Sequence, residues 1–160
     1  MLSLPSSVAI PAIYLTMGVL PAVAERDLEI MSLLGQISQC PRDLQSVLDI
    51  IEDGLTKFDL DFSGWSGLVK RTAVLYGLMD PLELIQQPWR SDRWRLNCKK
   101  VITNYWIDVL HKACEPLSTL DMFDTSRLKL DSPHPVWIAA SCDSISTTRA
   151  TYVMWLLLGV

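Results

Sequence analysis

Apolar residues recur at helical spacing along most of the chain. From Pro21 to Ile37 the apolar positions mark one broad face: Val23, Leu28, Ile30, Met31, Leu34 and Ile37. Residues at this spacing lie on one side of a helix, which predicts an amphipathic helix. No run of alternating β-branched residues is long enough for a sheet core. The pattern predicts an all-α, compact fold of about six to seven helices with no substantial sheet.

Prolines and glycines predict where several helices begin and end. Proline suits the first turn of a helix and glycine the position after its end, so Pro41 and Gly54 bracket one predicted helix. Gly77 is expected to end another helix. Asp80 is expected to cap the next, because it is an acid directly before Pro81.

The length of the chain and its short loops predict a single helical domain over residues 1–160. A chain of 160 residues can bury one core, and short connections favour one compact unit. Pro133 and Pro135 restrict both themselves and the residues before them. They predict a rigid linker at residues 131–135, before a final helix over Ser144–Leu158.

The segment from Trp89 to Cys114 joins a positive cluster to an amphipathic helix pattern. Ser91 is predicted to cap this helix, and Pro116 must end it. The chain as a whole has a formal charge of −4, yet here only Asp92 opposes five cations: Arg90, Arg93, Arg95, Lys99 and Lys100. Apolar positions behind the cluster predict a buried face: Trp94, Cys98, Val101, Ile102, Tyr105, Trp106 and Val109.

The cations and tryptophans of this segment suit an anionic partner. Arginine and lysine neutralise phosphates, and Trp89 or Trp94, if exposed, can stack on bases. We predict an RNA or DNA backbone as the partner, contacted by Arg90, Arg93, Arg95, Lys99 and Lys100. A solvated helix face and a protein-binding surface are the alternatives, and tryptophan in a helical stripe is more often part of the core.

No motif for catalysis or metal binding competes with this segment. Asp59 and Asp61 lie in a polar stretch between helices, where acids are usually solvated. Cys98, His111 and Cys114 cannot share a zinc ion on one helix, since residues 98 and 111 would lie about 20 Å apart. The four cysteines form no C-x-x-C pair, which favours reduced, buried thiols. We predict no enzymatic activity, no catalytic residue, no metal and no cofactor.

The uncharged stretch Met1–Ala24 ends in a sequence similar to a signal-peptidase site. It lacks Lys and Arg and is interrupted by three prolines, which argues against a signal peptide. The apolar run Tyr152–Val160 is shorter than the roughly 20 residues of a membrane span. We predict no membrane span and an intracellular protein, nuclear or cytoplasmic. A secreted or membrane-associated small protein is the alternative.

Four phrases occur in one order along the chain. They are PAIYLTMGVLPAVAE (Pro11 to Glu25), LYGLMDPLELIQ (Leu75 to Gln86), WRLNCKKVITNYWIDVL (Trp94 to Leu110) and HPVW (His134 to Trp137). Together they resemble the region just downstream of the reverse transcriptase domain in non-LTR (LINE-type) retrotransposon polyproteins of animals. The resemblance covers nearly the whole chain.

The resemblance implies a fragment of a larger polyprotein. Such polyproteins contain an endonuclease, a reverse transcriptase with paired palm aspartates and often a Cys/His knuckle. Those motifs are absent from this sequence, so none of the family's catalytic residues carries over. The palm acids would lie before Met1 and the knuckle after Val160. The resembled region follows the polymerase thumb, which implies that it helps to hold template RNA or target DNA.

We therefore expect a non-catalytic fragment of a retrotransposon polyprotein with weak nucleic-acid backbone binding. The alternative is a helical interaction module with apolar ends, Leu2–Leu20 and Tyr152–Val160. Exposed apolar patches favour association. Such a module would bind itself or the rest of the parent polyprotein.

Overall fold

The computed structural model describes residues 10–41, 45–57, 64–116, 128–140 and 144–157. These ranges contain eight helices: α1 Ile10–Met17, α2 Ala22–Ile37, α3 Gln45–Lys57, α4 Trp65–Tyr76, α5 Pro81–Gln86, α6 Ser91–Cys114, α7 Pro135–Ala140 and α8 Ser144–Leu157. Within them, β structure is limited to an isolated bridge between Lys129 and Ser132. The prediction of an all-α fold is confirmed.

Backbone contacts divide the chain into two compact units. The central unit consists of residues 22–104, and the terminal unit of residues 1–21 together with 105–160. Helix α6 contributes residues 91–104 to the central unit and residues 105–114 to the terminal unit. The single domain expected over residues 1–160 stays a prediction.

In the central unit, α2 and α3 each pack against both α4 and α5. Its buried apolar residues come from every helix of the unit: Ala24, Leu28, Met31, Leu34, Leu48, Leu55, Val69, Ala73, Tyr76, Leu84, Ile85, Trp94, Cys98 and Ile102. The predicted inward face of α6 is thus confirmed at Trp94, Cys98 and Ile102.

Among the described residues, Trp94 has the largest fully buried side chain, and it lies directly against α2. Its indole N–H donates a hydrogen bond of 2.7 Å to the carbonyl of Met31. The ring also faces Gly35, where an added Cβ would lie 2.3 Å from Trp94 Cδ1. Because real carbon atoms do not approach so closely, Gly35 allows the indole to approach the α2 backbone.

A buried polar contact joins α2 to α4. Asp27 is almost fully buried, and its Oδ2 accepts a hydrogen bond of 2.9 Å from the Tyr76 hydroxyl. Its Oδ1 pairs with the Arg26 guanidinium at 2.9 Å. A buried carboxylate needs such donors, because leaving it unpaired carries a large desolvation penalty. Sequence reasoning missed this contact, although Asp27 interrupts the apolar face of α2.

Two of the predicted helix boundaries are confirmed. Gly77 ends α4 in the left-handed conformation, with φ +62°, and its N–H donates to the carbonyls of Ala73 and Val74. Asp80 caps α5: its carboxylate accepts the N–H groups of Leu82 and Glu83, and Pro81 follows it directly. Both motifs act through local backbone chemistry, which explains why the sequence alone identifies them.

The boundary predicted at Gly54 is wrong, because α3 continues to Lys57. The last turn of α3 is supported by an exposed ion pair of 2.7 Å between Lys57 and Asp53, one turn apart. Gly54 instead lies close to α4, since an added Cβ would be 2.8 Å from Ser66 Oγ. The glycine therefore reflects packing between helices rather than a helix end.

The terminal unit has its own apolar core, built from α1, the end of α6 and the segment before α7. The core residues are Ala12, Leu15, Leu110, Cys114, Leu128 and Leu130. Part of the stretch that resembles a targeting peptide thus contributes to this core.

A turn at Gly18 connects α1 to the predicted linker at residues 131–135. Gly18 has φ +67°, and its carbonyl accepts the Asp131 N–H at 2.9 Å. The carbonyl of Thr16 accepts the His134 N–H at 2.8 Å. Pro135, the last residue of the predicted linker, begins α7, which the pattern did not predict. These hydrogen bonds attach the segment to the end of α1.

The cysteines of the described residues are free thiols. Cys98 and Cys114 are buried, as predicted, whereas Cys40 is half-buried. Cys142 lies outside the described residues. Burial raises the pKa of Cys98 to about 12 and also raises the pKa of Cys114. Because the thiolate is the reactive form, Cys98 is a packing residue rather than a nucleophile.

Within the described ranges, no helix combines the length and the apolar character that crossing a membrane requires.

Candidate nucleic-acid interface

The basic residues lie at the start of α6 and on the segment that precedes it. The helix begins at Ser91, and the Trp94 N–H donates to the carbonyl of Arg90 at 2.9 Å. Arg90 therefore occupies the cap position that the sequence assigned to Ser91. Before it, residues 88–90 are not helical, and the side-chain amide of Gln39 donates to the carbonyl of Trp89. This contact holds the segment against the end of α2.

Helical geometry divides the four cations of α6 between two sides. At about 100° per residue, Arg93 and Lys100 differ by only about 20° around the axis and lie about 10 Å apart along it. Arg95 and Lys99, one turn apart, point to a different side. All four side chains are exposed. Leu96, which is 68% exposed, lies beside Arg93 and Lys100. We call the surface formed by these three residues the outer face.

The side that contains Arg95 and Lys99 meets acidic α2. Arg95 forms an ion pair of 3.3 Å with Glu29, and both side chains are exposed. On the outer face, by contrast, neither Arg93 nor Lys100 has an ion-pair partner among the described residues. The outer face therefore offers the cations that are more readily available to an external anion.

Arg90 and Asp92 form an exposed bidentate pair at the start of the helix. Arg90 Nε lies 3.2 Å from Asp92 Oδ1, and its Nη2 lies 2.8 Å from Oδ2. Asp92 Oδ1 also accepts the backbone N–H of Arg93 at 2.9 Å. That backbone hydrogen bond, followed by the Arg90 guanidinium, lowers the pKa of Asp92 below its usual value. The acid is thus ionised at neutral pH and pairs with Arg90 at the surface.

The two tryptophans of the segment have different environments. Trp94 is fully buried and cannot reach a ligand, so base stacking by this residue is excluded. Trp89 is 40% exposed and meets Trp94 edge to face, with ring centroids 6.0 Å apart and planes at 88°. An open groove beside it is lined by Pro88, Trp89, Arg90 and Arg93.

The structure thus places the five predicted site residues in three settings. Arg90 and Arg93 meet Trp89 at the groove, Lys100 lies further along the outer face, and Arg95 and Lys99 lie on the other side of α6. Sequence reasoning missed a second, mainly apolar groove of about 440 Å³ between α2 and α4. Its charged lining residues are Arg26, Asp27 and Arg71.

Metal-binding side chains do not cluster in the part of the chain that the structure describes: no three of His, Cys, Asp or Glu could hold one ion there. Asp59 and Asp61 lie outside the described residues.

Comparison with known proteins finds no matching family model, no similar curated protein and no similar solved structure. The resemblance to retrotransposon polyproteins therefore depends on the four quoted phrases alone.

Proposed function

We propose that the chain is a non-catalytic part of a LINE-type retrotransposon polyprotein that binds nucleic-acid backbones weakly through α6. The observation that supports this proposal most directly is the outer face. There, Arg93 and Lys100 are exposed, lie on one side of the helix and have no ion-pair partner among the described residues.

The spacing of these two cations suits a phosphate chain. At a separation of about 10 Å along one side of the helix, these two long side chains can each reach a phosphate of the same strand. Arg90 can add a third contact, because breaking an exposed ion pair such as Arg90–Asp92 costs little. Two or three phosphate contacts predict weak binding that falls steeply as salt rises.

Reversing the charge of both outer-face cations tests the site. The double variant Arg93→Glu, Lys100→Glu is expected to bind RNA and DNA roughly tenfold or more weakly at low salt, a loss of about 1.4 kcal/mol. The dependence of log affinity on log salt should become shallower by about two units, because two phosphate contacts are lost. Fluorescence anisotropy with labelled oligonucleotides over roughly 50–200 mM salt measures both quantities.

The matched control reverses the other two cations of the same helix, Arg95→Glu with Lys99→Glu. Both double variants change the net charge equally, so a general charge effect would weaken binding equally in both. A clearly smaller loss in the control supports the outer face. Unchanged binding by Arg93→Glu, Lys100→Glu would remove the proposed site.

The second candidate function, an interaction module that binds copies of itself, is favoured by exposed apolar side chains in the terminal unit. These are Ile10, Met17, Val19, Ile138, Ile145, Tyr152 and Val153. If they drive association, size-exclusion chromatography with light scattering should show a mass that rises with protein concentration. A constant monomer mass at high concentration would rule this candidate out.

A further inference from the structure

We infer that Trp89 is a stacking platform for an unpaired base, so that the groove beside it prefers single-stranded nucleic acid to duplex. The inference rests on the proposed function and adds that this site binds single-stranded nucleic acid in preference to duplex. In this inference, Trp89 contacts the nucleic acid directly, next to the cations that bind its phosphates.

The Trp89 ring is held in position and is still accessible. Pro88 restricts the backbone before it, and the Gln39 side chain binds the carbonyl of Trp89. One part of the ring meets buried Trp94 edge to face, at a centroid distance of 6.0 Å, and 40% of the residue is exposed to solvent. A ring that is already positioned loses little conformational freedom when a base stacks on it.

The groove supplies a cation beside the aromatic surface. Arg93 and Arg90 line it together with Trp89 and Pro88. A nucleotide has the matching pair of groups, a flat base and a phosphate. Grooves that combine aromatic side chains with cations bind single strands without strong sequence preference, because every base has a π-face.

Duplexes cannot use this surface without a penalty. Their bases are stacked on one another, so reaching Trp89 would require a base to leave the stack. The phosphate contacts of Arg93 and Lys100 are open to both forms. Asp92, the acid nearest to the groove in sequence, repels the phosphates of both forms and does not favour one over the other. The preference for single strands over duplex therefore depends on the Trp89 indole.

The test compares Trp89→Ala and Trp89→Phe with the unchanged protein, using a single-stranded oligonucleotide and a duplex of equal length at one salt concentration. Trp89→Ala is expected to weaken single-strand binding roughly 5- to 100-fold and to change duplex binding little. Trp89→Phe should keep most of the single-strand affinity, since phenylalanine also stacks. Comparing the affinity for oligo(U) with that for oligo(dT) shows whether binding depends on the sugar.

Tryptophan fluorescence provides a second readout that does not depend on the alanine variant folding. Single-strand binding should quench the fluorescence of the unchanged protein, and the quench should decrease in Trp89→Phe. Far-UV circular dichroism checks that each variant is folded.

The possible outcomes separate this inference from the proposed function. Equal affinity for single strands and duplex in the unchanged protein overturns the inference. An equal loss for both forms in Trp89→Ala, or an unchanged quench in Trp89→Phe, overturns it too. In each case the outer face can still bind phosphates, as Arg93→Glu, Lys100→Glu would show. If the unchanged protein binds neither single strands nor duplex, both the proposed function and this inference are overturned.

Discussion

Replacing Trp94 by alanine is expected to lower the free energy of unfolding by about 3–5 kcal/mol. Trp94 is 0% exposed, so the substitution leaves a cavity of nearly an indole ring in the central unit. It also removes the hydrogen bond that the indole donates to Met31. Urea denaturation followed by far-UV circular dichroism measures the loss. A domain of ordinary stability, about 5–15 kcal/mol, would lose a large share of it and unfold at a much lower urea concentration.

Trp89→Ala is the matched control, because it removes the same side chain five residues earlier. Trp89 is 40% exposed and contributes an edge-to-face contact, so its removal should cost less than that of Trp94, about 2 kcal/mol. Leu96→Ala, at a 68% exposed position of α6, should change stability very little. If Trp94→Ala destabilises no more than Trp89→Ala, Trp94 is not the central packing residue described above.

Replacing Gly18 by alanine is expected to destabilise the terminal unit by about 2–4 kcal/mol. An L residue at φ +67° is strained, and the new Cβ would lie 2.6 Å from the Ser132 carbonyl carbon and 2.7 Å from Pro133 N. Backbone atoms cannot rotate away as a side chain can, so the attached segment must move. Besides thermal unfolding, amide exchange of Asp131 reports the effect locally, because this N–H donates to Gly18. Its exchange should accelerate.

Gly77→Ala separates the backbone strain at positive φ from the close contact with Ser132 and Pro133. Gly77 has nearly the same backbone angle, φ +62°, but no atom lies within 4 Å of the position of an added Cβ. This variant should therefore lose only about 1 kcal/mol, from conformational strain. Equal losses at both glycines would mean that the contact with Ser132 and Pro133 relaxes without cost.

The local rules predicted the parts of the fold that depend on neighbours in sequence. The left-handed cap at Gly77 and the Asp80 cap before Pro81 follow from backbone chemistry within one turn. Gly54 shows the limit of the same rules. A glycine after an apolar stripe is typical of a helix end, but here it allows the close approach of Ser66 in α4. Only the packing of α3 against α4 distinguishes these two roles.

The candidate site shows a similar division between sequence and structure. The sequence by itself determined that five cations lie in the first turns of one helix or just before it, and that the same helix has an apolar stripe. It could do so because the helical period assigns each residue to a side. It placed Trp94 on the predicted buried stripe but did not determine how deeply either tryptophan is buried, since Trp89 and Trp94 have equal hydrophobicity. The tertiary structure decided this by placing Gly35 of α2 against Trp94. It also paired Arg95 with Glu29, because charge pairs between helices depend on which sides meet.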